Sequence, residues 1–133
     1  MVEDTQMVIL LVEDDIRVQL FVWKLLKAEG LTVLTAGDGE AALEVCRNHS
    51  GPIDLLLTDM EMPLMNGLEL CRIIAVERPE TKVVVMSGDP KAGEQCAMAG
   101  LPFLQKPFQL SAIRECIESI RDRTPVSDEC SLS

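Results

Sequence analysis

The sequence predicts an α/β fold: a three-layer, doubly wound sheet of five parallel strands with helices on both faces. Three observations predict it. Five short apolar runs alternate with five amphipathic stretches along the 133 residues. The runs are continuous rather than alternating, as strands covered on both faces require. The connections are short, so each helix must return the chain to a parallel neighbour by a right-handed crossover. No repeat or second domain breaks the pattern, and the length is that of one domain.

The predicted strands are residues 8–12 (VILLV), 32–35 (TVLT), 55–58 (LLLT), 82–86 (KVVVM) and 103–105. The first, third and fourth are the most hydrophobic and belong at the centre. The first helix, residues 15–29, carries Ile16, Leu20, Phe21 and Leu25 at helical spacing and stops at Gly30. The second, residues 38–48, places Ala42, Leu43 and Cys46 on one face. Asn66 caps the third, with Glu69 three residues on completing a capping box. Asp89 and Pro90 open the fourth as cap and first helical residue. The last, residues 109–123, turns Leu110, Ile113, Ile117 and Ile120 inward. The domain is predicted to span residues 7–123, and the aperiodic residues 124–133 to form a disordered tail.

Composition narrows the function. A formal net charge of −10 with no basic cluster argues against direct nucleic-acid binding. No apolar run reaches the roughly 20 residues of a membrane span, and the acidic N-terminus is no targeting peptide, which predicts a cytoplasmic protein with no membrane partner. Five cysteines without a C-x-x-C pair predict neither zinc nor disulfides. Cys46, Cys71, Cys96 and Cys116 are read as small buried hydrophobes in helices, and Cys130 as an exposed thiol. Trp23, Met60, Met62 and Met65 are read as packing residues. His49, in a polar loop, is read as exposed and not as a phosphodonor.

Ligands of such sheets bind beyond the carboxyl ends of the strands. There the sequence places Glu13, Asp14 and Asp15 after the first strand, Asp59 after the third, Ser87 and Gly88 after the fourth, and Lys106 with Pro107 after the fifth. Neighbouring carboxylates raise each other's pKa unless a cation neutralises them. Glu13, Asp14 and Asp59 therefore imply a hard cation with oxygen ligands, and Mg²⁺ suits a small site that keeps several waters. Asp15 is read as the cap of the first helix.

In these positions the chain resembles the receiver domain of two-component response regulators, and is similar to the single-domain chemotaxis regulator. The resemblance covers about residues 8–120. It rests on LLVEDD (residues 10–15), DLLLTDMEMPLMNG (54–67), VVVMSG (83–88) and FLQKPF (103–108), four motifs in order, each at a strand end. It implies a flavodoxin-like receiver fold with strand order 2-1-3-4-5. It also implies that Asp59 accepts a phosphoryl group from a histidine kinase or a histidine phosphotransfer protein. By the same resemblance Asp14 binds Mg²⁺ directly, Glu13 through water or by positioning, Asp59 as a shared ligand, and Glu61 through its backbone carbonyl. Ser87, the backbone of Gly88 and Lys106 bind phosphoryl oxygens, Ser87 and Phe103 form the switch, and the bond before Pro107 is cis. Such a domain catalyses only its own phosphorylation and dephosphorylation, and passes its signal to a protein partner through the fourth helix, fifth strand and fifth helix.

Two departures stand out. Residues 99–108 are one residue shorter between Gly100 and Lys106 than the common family pattern, a form that also resembles the receivers of hybrid sensor kinases. The positions two after Asp59 and Ser87, which tune phosphoryl lifetime in the family, are both acidic (Glu61 and Asp89). A haloacid-dehalogenase-like phosphatase is the alternative with a strand-end aspartate nucleophile. It needs a second aspartate where this chain has Glu61, and a cap domain for which there is no room. A flavin module needs a Gly- and Ser/Thr-rich cradle where the first loop is acidic.

Overall fold

The computed structural model describes residues 7–121, and the side chains of residues 7–120. The predicted tail, Cys130 and the end of the last predicted helix lie outside the described residues. Five strands and five helices alternate: β1 (Val8–Val12), α1 (Ile16–Ala28), β2 (Thr32–Ala36), α2 (Gly39–Asn48), β3 (Leu55–Asp59), α3 (Gly67–Glu77), β4 (Lys82–Ser87), α4 (Pro90–Ala99), β5 (Phe103–Gln105) and α5 (Leu110–Arg121). The sheet is parallel throughout, in the order β2-β1-β3-β4-β5, so β1, β3 and β4 are central as their hydrophobicity predicts. β3 and β4 each run one residue further than the apolar pattern, so that Asp59 and Ser87 are the last residues of their strands.

Side chains of a strand alternate between faces, and each central strand feeds two cores. Leu10, Val12, Leu56 and Val85 pack with Ala42, Leu43, Cys46, Leu70, Cys71, Ile74 and Cys96 from α2, α3 and α4. Ile9, Leu11, Leu55, Leu57 and Met86 pack with Val22 and Leu26 from α1 and Ile113 and Ile117 from α5. Burying a side chain of this size contributes about 1.5–3 kcal/mol, which makes the continuous apolar run the main determinant of strand position. Met60 is buried and Met62, Met65 and Trp23 are partly buried against these cores, in keeping with their packing roles. Cys116 and His49 are half-buried, the first less and the second more than expected.

Helix α1 corrects one expectation. The Ile16, Leu20 and Phe21 stripe is not the buried face: these residues are 69%, 50% and 56% exposed. Val22 and Leu26 are buried instead, with Val18, Trp23 and Leu25 partly so. The helix is apolar on more than one side, and sheet geometry selected the other side.

The caps expected at Asp15, Asn66 and Asp89 form, and Asp38 caps α2 in addition. Asp15, Asp38 and Asp89 each accept a backbone N–H of the following turn, and Asn66 and Glu69 form a complete capping box. Gly30 (φ 80°) and Gly100 (φ 74°) take the left-handed conformation that ends α1 and α4.

Sequence inspection missed a clamp at the opposite end of the sheet. The largely buried Arg78 guanidinium donates to the carbonyls of Cys46 (2.8 and 3.2 Å), His49 (2.8 Å) and Gly51 (2.9 Å). It satisfies the free carbonyls at the end of α2 and ties them to α3. Replacing Arg78 with Ala removes all of these bonds, and we expect urea denaturation to show a loss of about 2–3 kcal/mol with an unchanged m-value.

Candidate functional site

The site lies where the strand order reverses, between β1 and β3. By strand alternation Glu13 shares the face of Ile9 and Leu11, and Asp59 that of Leu55 and Leu57, so both carboxylates sit on the α1–α5 side of the sheet. Glu13 is 2% and Asp59 5% exposed, while Asp14 is open to solvent. One carboxylate oxygen from each of the three lies within 4.8 Å of the others. Lys106 reaches in from the end of β5 and places Nζ 2.7 Å from Glu13 Oε1 and 3.1 Å from Asp59 Oδ1.

Local structure fixes each group. The Glu13 N–H donates to the Ala36 carbonyl (3.1 Å), and its Oε2 accepts the Asp15 N–H (3.1 Å). Gln19 Nε2 donates to the carbonyls of Glu13 (3.1 Å) and Ala36 (3.3 Å), bridging β1 and β2. The Thr58 hydroxyl donates to the Asp59 carbonyl (3.0 Å), and Gly67 lies so close to that carbonyl that a Cβ would overlap it. The turn after β3 therefore requires glycine at its far end. The Lys106 N–H donates to the Ser87 carbonyl (2.8 Å), and the following Lys106–Pro107 bond is cis, as predicted.

The electrostatics follow from this packing. Burial first, then the Glu13 carboxylate, push the Asp59 carboxyl up to about 7 against the opposing pull of Lys106. Burial disfavours the Lys106 ammonium, but its contacts with Glu13 and Asp59 prevail and raise its pKa. Three carboxylates thus face one ammonium, two of them desolvated. A divalent oxygen-seeking cation fits this donor set, because it would supply the positive charge that Lys106 alone does not.

Ser87 and Phe103 occupy the other face. Ser87 shares the side of Val83 and Val85, and Phe103 packs against the α2–α4 core. The ring of Phe103 lies against Gly93 of α4, where a Cβ would come within 3.1 Å of two ring carbons. Gly88 is exposed, with open space on the side where a Cβ would project, and it lines a groove of about 590 Å³ with Lys106, Pro107, Phe108, Val18 and Phe21. The carboxylate of Glu61 was not anticipated: it accepts the Ser87 hydroxyl at 2.9 and 3.0 Å. No sequence signal marks that contact or the Gln19 bridge, whereas Gly93 inside a helical pattern was such a signal.

Two measurements test the charge balance. The folded state retains the Asp59 proton up to about pH 7, the unfolded chain only to about pH 4. The buried charge therefore costs stability progressively as pH rises from about 4 through 7. Asp59→Asn should accordingly raise the stability of metal-free protein at pH 8 by about 1–3 kcal/mol, with the gap closing toward pH 4 in thermal melts. Millimolar Mg²⁺ should raise the melting temperature of the unaltered protein clearly more than that of Asp59→Asn.

Comparison with known proteins agrees with this arrangement. The response regulator receiver domain family matches residues 9–118. The chain is 32% identical over 118 residues to the sensor kinase CckA of Brucella abortus, covering 86% of this chain and 12% of that protein. It is 32% identical over 123 residues to the chemotaxis protein CheY of Pseudomonas aeruginosa, covering 88% of this chain and 98% of CheY. Among solved structures, a receiver domain from Clostridium thermocellum superposes with a TM-score of 0.79 at 25% identity, covering 88% of this chain and 95% of that one. The receiver domain of the hybrid histidine kinase CckA gives 0.72 at 33% identity, with 85% and 97% covered. The chain spans a small part, 12% and 18%, of two of its curated relatives, the sensor kinase and a putative response regulator of Arabidopsis thaliana. No helix among the described residues is long and apolar enough to cross a membrane. With its parallel sheet in 2-1-3-4-5 order and its acidic group at the strand ends, this chain belongs to the response regulator receiver domain family of two-component signalling.

Proposed function

We propose that Asp59 is the phosphoacceptor of this receiver and takes its phosphoryl group from a phosphohistidine on a histidine kinase or phosphotransfer protein. The observation that carries the reading is the convergence of Glu13, Asp14, Asp59 and Lys106 on one point. An Asp59 carboxylate oxygen attacks phosphorus, the P–N bond to the donor imidazole breaks, and its electron pair stays with the imidazole. Phosphoryl transfer needs charge neutralisation and in-line positioning more than covalent help. Lys106 holds Asp59 in place and lies within reach of the arriving phosphoryl oxygens. The carboxylates of Glu13, Asp14 and Asp59, with the carbonyl of Glu61, would hold Mg²⁺, which would supply the remaining neutralisation. The chain catalyses nothing beyond gain and loss of its own phosphoryl group.

The exposed stripe of α1 serves donor docking in this reading. Phe21 lines the same groove as Gly88 and Lys106, so a histidine-bearing helix seated there would bring its imidazole to the site. Ser87 then binds a phosphoryl oxygen with the backbone N–H of Gly88, and Phe103 answers by repacking against α4. That passes the change to a partner of the α4, β5 and α5 surface as a population shift.

Incubation with a small phosphodonor and Mg²⁺ should add one phosphoryl group, seen by intact mass, and none to Asp59→Asn. Phe21→Ser should slow transfer from a cognate histidine donor at least tenfold while leaving the small donor's rate within about twofold. Unchanged transfer from the protein donor would count against docking on α1.

A further inference from the structure

We propose that Glu61 is an internal competitor for the Ser87 hydroxyl, so that Ser87 must be released from Glu61 before it can bind a phosphoryl group. Ser87 is fully buried at the end of β4. Its Oγ accepts the Asp89 N–H at 3.0 Å and donates to the Glu61 carboxylate, at 2.9 Å from Oε1 and 3.0 Å from Oε2. A serine hydroxyl carries one proton, and here that proton is already committed to an anion. The near-equal distances centre it on the carboxylate, a charge-assisted contact stronger than one between neutral groups.

The two acceptors exclude one another. A phosphoryl oxygen that takes the Ser87 proton leaves Glu61 without its donor and adds a like charge beside it. Glu61 is itself exposed in the turn between β3 and α3, while its neighbours Met62 and Met65 anchor that turn against the core. A phosphoryl group on Asp59 would therefore free the Glu61 side chain from Ser87 while the turn itself stays anchored by Met62 and Met65. Glu61 acts here as a positioning residue for Ser87, holding the switch hydroxyl in its resting orientation. The inference rests on Asp59 as phosphoacceptor for its consequence, but the contact itself is testable without that reading.

Beryllium fluoride with Mg²⁺, a phosphoryl analogue that forms on a carboxylate, is the probe. Glu61→Ala should tighten its binding by calorimetry roughly five- to tenfold, the weight of one charge-assisted hydrogen bond to an exposed partner. In a Ser87→Ala background the same change should gain less than twofold. A gain that persists there would mean that Glu61 acts by charge alone, and would overturn the proposal. In the ligand-free protein, Glu61→Ala should shift the Ser87 and Asp89 amide resonances, since the Asp89 N–H points at the hydroxyl. Unmoved resonances would overturn it equally. Asp59→Asn separates the two readings: if it binds the probe as well as the unaltered protein, the phosphoacceptor assignment fails, and the amide shifts still decide whether Glu61 holds Ser87.

Discussion

Two carboxylates buried at the same edge of a sheet repel each other in a medium that screens them poorly. Glu13 and Asp59 stand in that relation, and the ammonium of Lys106, bonded to both, makes it tolerable. The compensation is incomplete, because Asp14 adds a third carboxylate and Asp59 still binds its proton up to about pH 7. Incomplete neutralisation suits the phosphoacceptor role proposed for Asp59. The site keeps an unmet demand for positive charge, which a hard cation can satisfy, and Asp59 stays within reach of Lys106.

The surrounding structure keeps these groups from relaxing away from one another. β1 and β3 are adjacent and apolar on both faces, so neither can slide without exposing a core side chain. Gly67 lets the chain pass directly under the Asp59 carbonyl, and the Gln19 amide ties the β1–α1 turn to β2. At the opposite end Arg78 gathers the carbonyls of Cys46, His49 and Gly51. The carboxyl edge is left to carry charge and exposed turns, the division expected when a rigid scaffold supports a working edge.

The strand centres, the caps at Asp15, Asn66 and Asp89, and the set of edge residues were legible because each depends on local pattern. A continuous apolar run must be covered on both faces, and an Asp or Asn before a helix has one obvious use. The α1 stripe was misread because Ile16, Leu20, Phe21 and Leu25 satisfy helical spacing as well as Val18, Val22 and Leu26 do. Periodicity shows that a face is apolar, not which of two apolar faces meets the sheet. The exposed stripe of Ile16, Leu20 and Phe21 beside the site is the surface on which the proposed donor docking rests.

By itself the sequence determined the fold class, the central strands, the caps at Asp15, Asn66 and Asp89, and the four residues, Glu13, Asp14, Asp59 and Lys106, that converge at one sheet edge. All of these follow from composition and spacing along the chain. The tertiary structure alone decided which side of α1 is buried, that Lys106 bridges Glu13 and Asp59, and that Glu61 holds the Ser87 hydroxyl. Each of these is a contact between groups 26 or more residues apart in the chain, or a choice between faces of equal local merit. Sequence patterns report what a segment prefers, and only packing reports which preference the rest of the molecule permits.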